Sequence, residues 1–229
     1  MGKHAFNIAI DGPAGAGKST IAKMVAKKLN FIYVDTGAMY RAIALYFLRS
    51  GVDAKDEAAI AREVKQADIT IRYQDGVQQV ILNGEDVSGL IRTEEVGNMA
   101  SATSVYPAVR THLLELQRGL AASQNVIMDG RDIGTFILPN AEAKIYLTAS
   151  SHVRALRRYK ELTEKGTVCN LEEIEQDIIE RDHRDMTRET APLKQAEDAV
   201  LLDSSEMTID EVVQAIIDTA KAQGLEEEH

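Results

Sequence analysis

Gly12-Pro13-Ala14-Gly15-Ala16-Gly17-Lys18-Ser19, with Thr20 following, fits the pattern GxxxxGK(S/T) without a gap. Just before it, Phe6-Asn7-Ile8-Ala9-Ile10 is a short apolar run that suits a buried strand. Just after it, Ile21, Met24, Val25 and Leu29 recur at helical spacing. A glycine-rich loop joining a strand to a helix converges its backbone N–H groups on one point, and the positive end of the helix adds to them. Such a loop suits phosphate. Residues Gly12 to Thr20 are therefore the candidate phosphate site, with Lys18 reaching outer phosphates and the Ser19 hydroxyl available to a magnesium ion.

The rest of the chain alternates in the same way. Phe31 to Asp35, Val126 to Asp129, Ala143 to Leu147 and Ala199 to Leu202 read as further short strands, several of them closed by an acid. A helix follows Thr36 with Met39, Ile43, Phe47 and Leu48 on one face and Gly51 placed to end it. Residues 56–66 suit another short helix. Ile69, Ile71 and Tyr73 alternate with polar residues, and the turns Asp75-Gly76 and Asn83-Gly84 frame a second extended run, a hairpin set into the alternation. Thr93 to Ser123 reads as helical, with Pro107 suited to a first turn and Val109, Leu113, Leu116 and Leu120 in one stripe. Two arginine-rich helices, Ser151 to Lys165 and Leu171 to Met186, flank Gly166. Thr208 to Glu211 forms a capping box for a last helix expected to bury Ile209, Val212, Val213, Ile216 and Ile217, ahead of a frayed end at 226–229. Strands separated by helices imply an α/β fold with a five-stranded parallel sheet, helices on both faces, and ligands at the carboxyl edge.

Composition narrows the function. A formal charge of -10 argues against a general nucleic-acid or membrane-surface role. Cys169 is the only cysteine, so neither an intrachain disulfide nor a cysteine metal cluster can form. The histidines, His4, His112, His152, His183 and His229, show no metal-ligand spacing. A start that runs straight into the first strand, with no long apolar run, leads us to expect a cytoplasmic protein, and a monomer because no apolar face is left over.

Asp129 closes an apolar strand, where a carboxylate can orient magnesium or its waters beside a phosphate loop. Arg41, Arg110, Arg131, Arg154, Arg157, Arg158, Arg181, Arg184 and Arg188 are numerous enough to need a reason, and guanidinium groups hold phosphates and neutralise a transferring phosphoryl group. For the helical ones a plainer reading stands beside this. Arg154 with Arg158, Arg157 with Glu161, and Arg181 with Asp185 sit one turn apart and could form a solvated, salt-bridged face. Arg131 lies in a loop at the strand edge, where that plainer reading is weaker.

Together the phosphate loop, Asp35-Thr36-Gly37-Ala38-Met39-Tyr40-Arg41, the hairpin leading to Gly84-Glu85-Asp86-Val87-Ser88, Asp129-Gly130-Arg131-Asp132-Ile133-Gly134, and Glu180-Arg181-Asp182-His183-Arg184-Asp185 resemble the bacterial cytidylate kinases over nearly the whole chain. The resemblance implies a P-loop NTPase-type fold in one kinase domain. Its core would cover about 1–40, 101–150 and 189–229, with a monophosphate-binding insertion at about 41–100 and an arginine-rich lid at about 151–188. It implies transfer of the terminal phosphoryl group of ATP, with Mg2+, to CMP or dCMP. Thr36, Ser101, Arg110 and Asp132 would surround the cytosine. Arg41, Arg131 and Arg188 would hold the acceptor phosphate, Arg181 and Asp185 the sugar, and Arg157 and Arg158 the ATP. Lys18, Arg131, Arg188 and Asp129 would carry the catalysis, with Ser19 on the metal and Asp129 reaching it through water.

Another small-molecule kinase, acting on UMP, AMP or a non-nucleotide acceptor, stays open as an alternative, as does a nucleotide-dependent switch. The second should carry NKxD, which is absent. Asp86-Val87-Ser88-Gly89 fits DxxG but falls in the hairpin region rather than at a core strand end.

Overall fold

The β-branched and apolar runs become strands and the capped stretches become helices in the computed structural model, which describes residues 5–226. In chain order these are β1 (Asn7–Asp11), α1 (Lys18–Leu29), β2 (Ile32–Asp35), α2 (Thr36–Arg49), α3 (Glu57–Glu63), β3 (Ile69–Gln74), β4 (Val77–Leu82), β5 (Glu85–Asp86), α4 (Glu94–Thr103), α5 (Pro107–Ala122), β6 (Val126–Gly130), β7 (Ala143–Thr148), α6 (Ser151–Glu164), α7 (Leu171–Thr187), β8 (Val200–Asp203) and α8 (Ile209–Ala222). His4, His229 and residues 227–229 of the expected frayed end lie outside the described residues.

The strands form a five-stranded sheet in the order β2-β6-β1-β7-β8 and a three-stranded sheet in the order β3-β4-β5. The chain packs as two units, one running up to Phe31 and resuming at Asn125, the other Ile32–Gln124. In the first unit β1 pairs in parallel with β6 (Ile8 opposite Ile127) and with β7 (Ile10 opposite Ile145), and β7 pairs in parallel with β8. Ile8, Ile10, Ile127, Met128, Ile145 and Leu147 are fully or almost fully buried, as strands covered on both faces require. The helix starts follow their caps. Ser150 accepts from the Val153 amide, Asn170 from Glu173, and Thr208 and Glu211 close the capping box.

In the second unit the hairpin turns at Asp75-Gly76, both left-handed, so that Gln74 faces Val77. Pro107 opens α5 as expected. Three expectations need correction. The helical stretch 93–123 is not continuous: α4 stops at Thr103, and Pro107 starts α5 afresh, since the residue before a proline resists helical geometry. On α5, Leu116 and Leu120 are only half-buried while Gln117 is buried, so the covered stripe runs through Val109, Leu113, Gln117 and Ala121. On α8, Ile209 stands in the first turn and is 53 % exposed, whereas Val212, Val213, Ile216 and Ile217 are buried.

Candidate active site

The loop between β1 and α1 is held by its own backbone needs. Gly12 has φ 152, and a methyl group built on it would collide with the Leu147 carbonyl oxygen of β7, so only glycine fits. Gly17, at φ 84, caps α1 without a side chain, leaving the first amides of the helix for a ligand. Lys18 is buried, and its Nζ donates to the Pro13 carbonyl at 2.7 Å. Burial draws its pKa well below the usual lysine range, and the Arg131 charge adds to this against Asp129, Asp11 and Asp185. Ser19 Oγ donates to Asp129 Oδ2 at 2.9 Å. Thr20 and Gly15 are exposed.

Asp129 is the penultimate residue of β6, and the segment beyond the strand turns sharply through Ile133–Ile137. Asp11, the last residue of β1, fixes that turn by accepting from the Ile133 amide at 2.8 Å and the Gly134 amide at 2.7 Å. Burial raises the Asp11 pKa to about 6, opposed by those two amides. Arg131 Nε donates to Asp185 Oδ2 at 2.8 Å. Burial works against both charges, yet each sustains the other: Arg131 is pushed up and Asp185 is held below the usual carboxylate range, with Arg188 and Arg181 assisting. Arg188 faces Asp132 at 3.5 Å and donates to the Ala191 carbonyl at 2.6 and 2.8 Å.

On the second unit, Asp35 caps α2 by accepting from the Ala38 amide at 2.9 Å and meets Arg41 at 3.3 Å and Arg92 at 3.4 Å. The β4 residue Gln78 grips both sides of Asp35, accepting from its amide at 2.8 Å and donating to its carbonyl at 3.2 Å. Thr36 is buried in the first turn of α2. Arg110 is buried, lies 5.6 Å from the Tyr40 ring centroid and donates to the Ser104 carbonyl at 3.3 Å. Ser101 is half-buried on α4.

In the first unit, then, Lys18, Ser19, Asp129, Arg131 and Asp185 form one electrostatic group. Arg157 and Arg158 stand apart from it. Arg157 is exposed and donates to the Ser204 carbonyl at 2.7 Å, and it is Arg158, not Arg157, that pairs with Glu161, at 2.9 Å. The reading of Arg154 as part of a solvated face is overturned: it is 5 % exposed and donates to the Ala14 carbonyl at 2.8 Å. Sequence reasoning also passed over Asp11 and Asp182. Asp11 stands one residue before the motif and closes the apolar run of β1 as Asp129 closes the apolar run of β6, and that shared pattern was the available signal.

The sequence profile of the family described as "Cytidylate kinase" matches residues 8–222. The chain belongs to the cytidylate kinase family. A protein named cytidylate kinase from Carboxydothermus hydrogenoformans is 49% identical over 213 residues, covering 93% of this chain and 96% of its own. Those so named from Lactiplantibacillus plantarum and Listeria innocua are 50% and 51% identical, over 94% and 93% of this chain and 95% of each relative. A crystal structure of a gluconokinase from Sinorhizobium meliloti 1021 covers 96% of this chain and 94% of its own, at TM-score 0.50 and 12% identity, a likeness of fold. Cytidylate kinases are nucleoside monophosphate kinases, and this chain is an enzyme of that kind.

Proposed function

We propose that the enzyme moves the γ-phosphoryl group of ATP to the phosphate of CMP or dCMP, releasing ADP and CDP or dCDP. The observation that carries the mechanism is that every carboxylate around the loop already has a partner. Asp11 accepts two amides, Asp129 the Ser19 hydroxyl, Asp185 and Asp132 arginines, and Asp182 an arginine. None is left as a general base, and none is needed, because the attacking oxygen of a monophosphate is already anionic. Positioning and charge neutralisation then supply the catalysis.

The loop from Gly12 to Ser19 binds the donor phosphates and Lys18 reaches the outer ones, whose negative charge favours its ammonium form. Ser19 and Asp129 offer a hydroxyl and a carboxylate oxygen, hard donors that fit Mg2+ arriving with the nucleotide, and such an ion would screen the phosphate oxygens when bound. Arg131, Arg188 and Arg41 take the acceptor phosphate, with Arg131 and Arg188 braced by Asp185 and Asp132. Thr36, Ser101, Arg110 and Asp132 read the cytosine, Arg181 and Asp185 the sugar, and Arg157 and Arg158 serve the ATP. Cytosine presents an amino donor to a carboxylate or hydroxyl, and a ring nitrogen and carbonyl to a guanidinium. The reading requires no nucleic acid polymer, membrane or second copy.

ADP release from ATP and magnesium, measured with CMP, dCMP, UMP, AMP, GMP and dTMP in turn, tests it. CMP and dCMP should be the best acceptors. A better rate with another acceptor refutes the specificity, and no stimulation by any acceptor refutes the kinase reading.

A further inference from the structure

The two arginine-rich helices reach into the phosphate loop itself. Arg154 on α6 and Asp182 on α7 are both buried, at 5 % and 8 % exposure, and their Nη2 and Oδ2 atoms lie 2.7 Å apart. Between them they take both polar groups of one loop residue: the Ala14 amide donates to Asp182 Oδ1 at 3.3 Å, and Arg154 Nη1 donates to the Ala14 carbonyl at 2.8 Å. Arg154 Nε is anchored in turn on the Ala149 carbonyl at 2.8 Å. The peptide whose N–H goes to Asp182 is the one whose carbonyl, that of Pro13, receives Lys18 Nζ. Two successive peptide planes of the loop are thus fixed from outside it, in a stretch where Gly12, Gly15 and Gly17 all have positive φ.

We propose that Arg154 and Asp182 are positioning residues for the phosphoryl donor: the pair fixes the peptides on either side of Ala14 and, through the Pro13 carbonyl, the ammonium of Lys18. The loop binds a triphosphate only when its amides converge, so the apparent donor affinity scales with the fraction of molecules already in that conformation. The pair keeps the fraction high. This rests on the reading of the loop as the ATP site.

Asp182→Asn is the informative substitution. Asparagine has one acceptor oxygen where the aspartate uses two, so either the Ala14 amide or Arg154 loses its partner. Removing a negative charge near a triphosphate would by itself tighten ATP binding, whereas loss of positioning weakens it, so the two effects differ in sign. The expected result for Asp182→Asn and for Arg154→Lys is an ATP KM raised about five- to twentyfold, with the CMP KM changed by less than about twofold. Because both act on one element, the double variant should be little worse than either single one. An ATP KM that is unchanged or lowered, or a CMP KM that rises in step with it, overturns the proposal. Amide exchange at Ala14 in nucleotide-free protein gives a readout independent of activity and of the variants. The wild-type amide should be strongly protected, and an Ala14 amide exchanging as fast as an open loop refutes the clamp. If no acceptor stimulates ADP release, it is the functional reading that fails, and the Ala14 amide still decides the clamp.

Discussion

Asp11→Asn tests the electrostatics of the loop through stability rather than turnover. Burial lifts the Asp11 pKa from 3.8 to about 6, so between those values the folded chain keeps a proton that the unfolded chain has released. Stability attributable to this group is therefore fully present below pH 3.8 and is lost as the pH climbs through 6. At about 1.4 kcal/mol for each pH unit the loss totals about 3 kcal/mol, of which about 2 kcal/mol falls between pH 4.5 and 7.5. Asparagine does not titrate, but its single acceptor oxygen leaves one of the Ile133 and Gly134 amides without its bond, a cost of about 1–3 kcal/mol at any pH. The two effects cross. The variant should be less stable than wild type at pH 4.5 and close to it at pH 7.5. Urea unfolding of both proteins across this range gives the difference directly, and other titrating groups cancel in the comparison. A wild-type advantage that stays level or grows with pH would show that Asp11 is not held in the protonation state that its burial dictates.

Lys18→Ala should lower kcat by roughly 100- to 1,000-fold, the scale of losing one charge on a transferring group, while leaving the CMP KM nearly unchanged. Comparable losses in both would remove Lys18 from the donor side. Gly12→Ala sets a methyl group against the Leu147 carbonyl in a conformation that alanine avoids, so it should unfold the chain or lower its melting temperature by more than any surface change. A normal melting curve would contradict that contact. Thr208→Ala removes the capping box of α8 and should cost about 1 kcal/mol in urea unfolding with steady-state kinetics unaffected.

The first strand, the glycine loop and the helix after it were legible because their signals are local. Strand, glycine loop and helix follow one another within residues 6–29, and the Asp75-Gly76 turn sets the β3–β4 register in two residues. The arginines were harder. Arg154 and Arg158 stand one turn apart on α6 with the same composition around them, yet one is buried against the loop and the other pairs with Glu161 in solvent. What separates them is the packing of α7, which brings Asp182 to Arg154, and no spacing within α6 encodes that. Asp11 was overlooked for the same reason. Its partners are amides 122 and 123 residues away, and backbone amides leave no mark on a sequence.

That separation bears on how the chain is made. The unit from Ile32 to Gln124 is continuous, so it can condense as it leaves the ribosome, its hairpin closing over a two-residue turn. The unit that carries the glycine loop is split, and β1 meets β6 and β7 only after the chain beyond Asn125 has emerged. At about 5–20 residues per second the interval is roughly 6–25 s, during which Ile8, Ala9 and Ile10 are synthesised but have no strand beside them. β1 and the glycine loop after it are thus translated long before the strands that flank β1, and a holdase engaging the nascent chain should favour the apolar run Ile8 to Ile10.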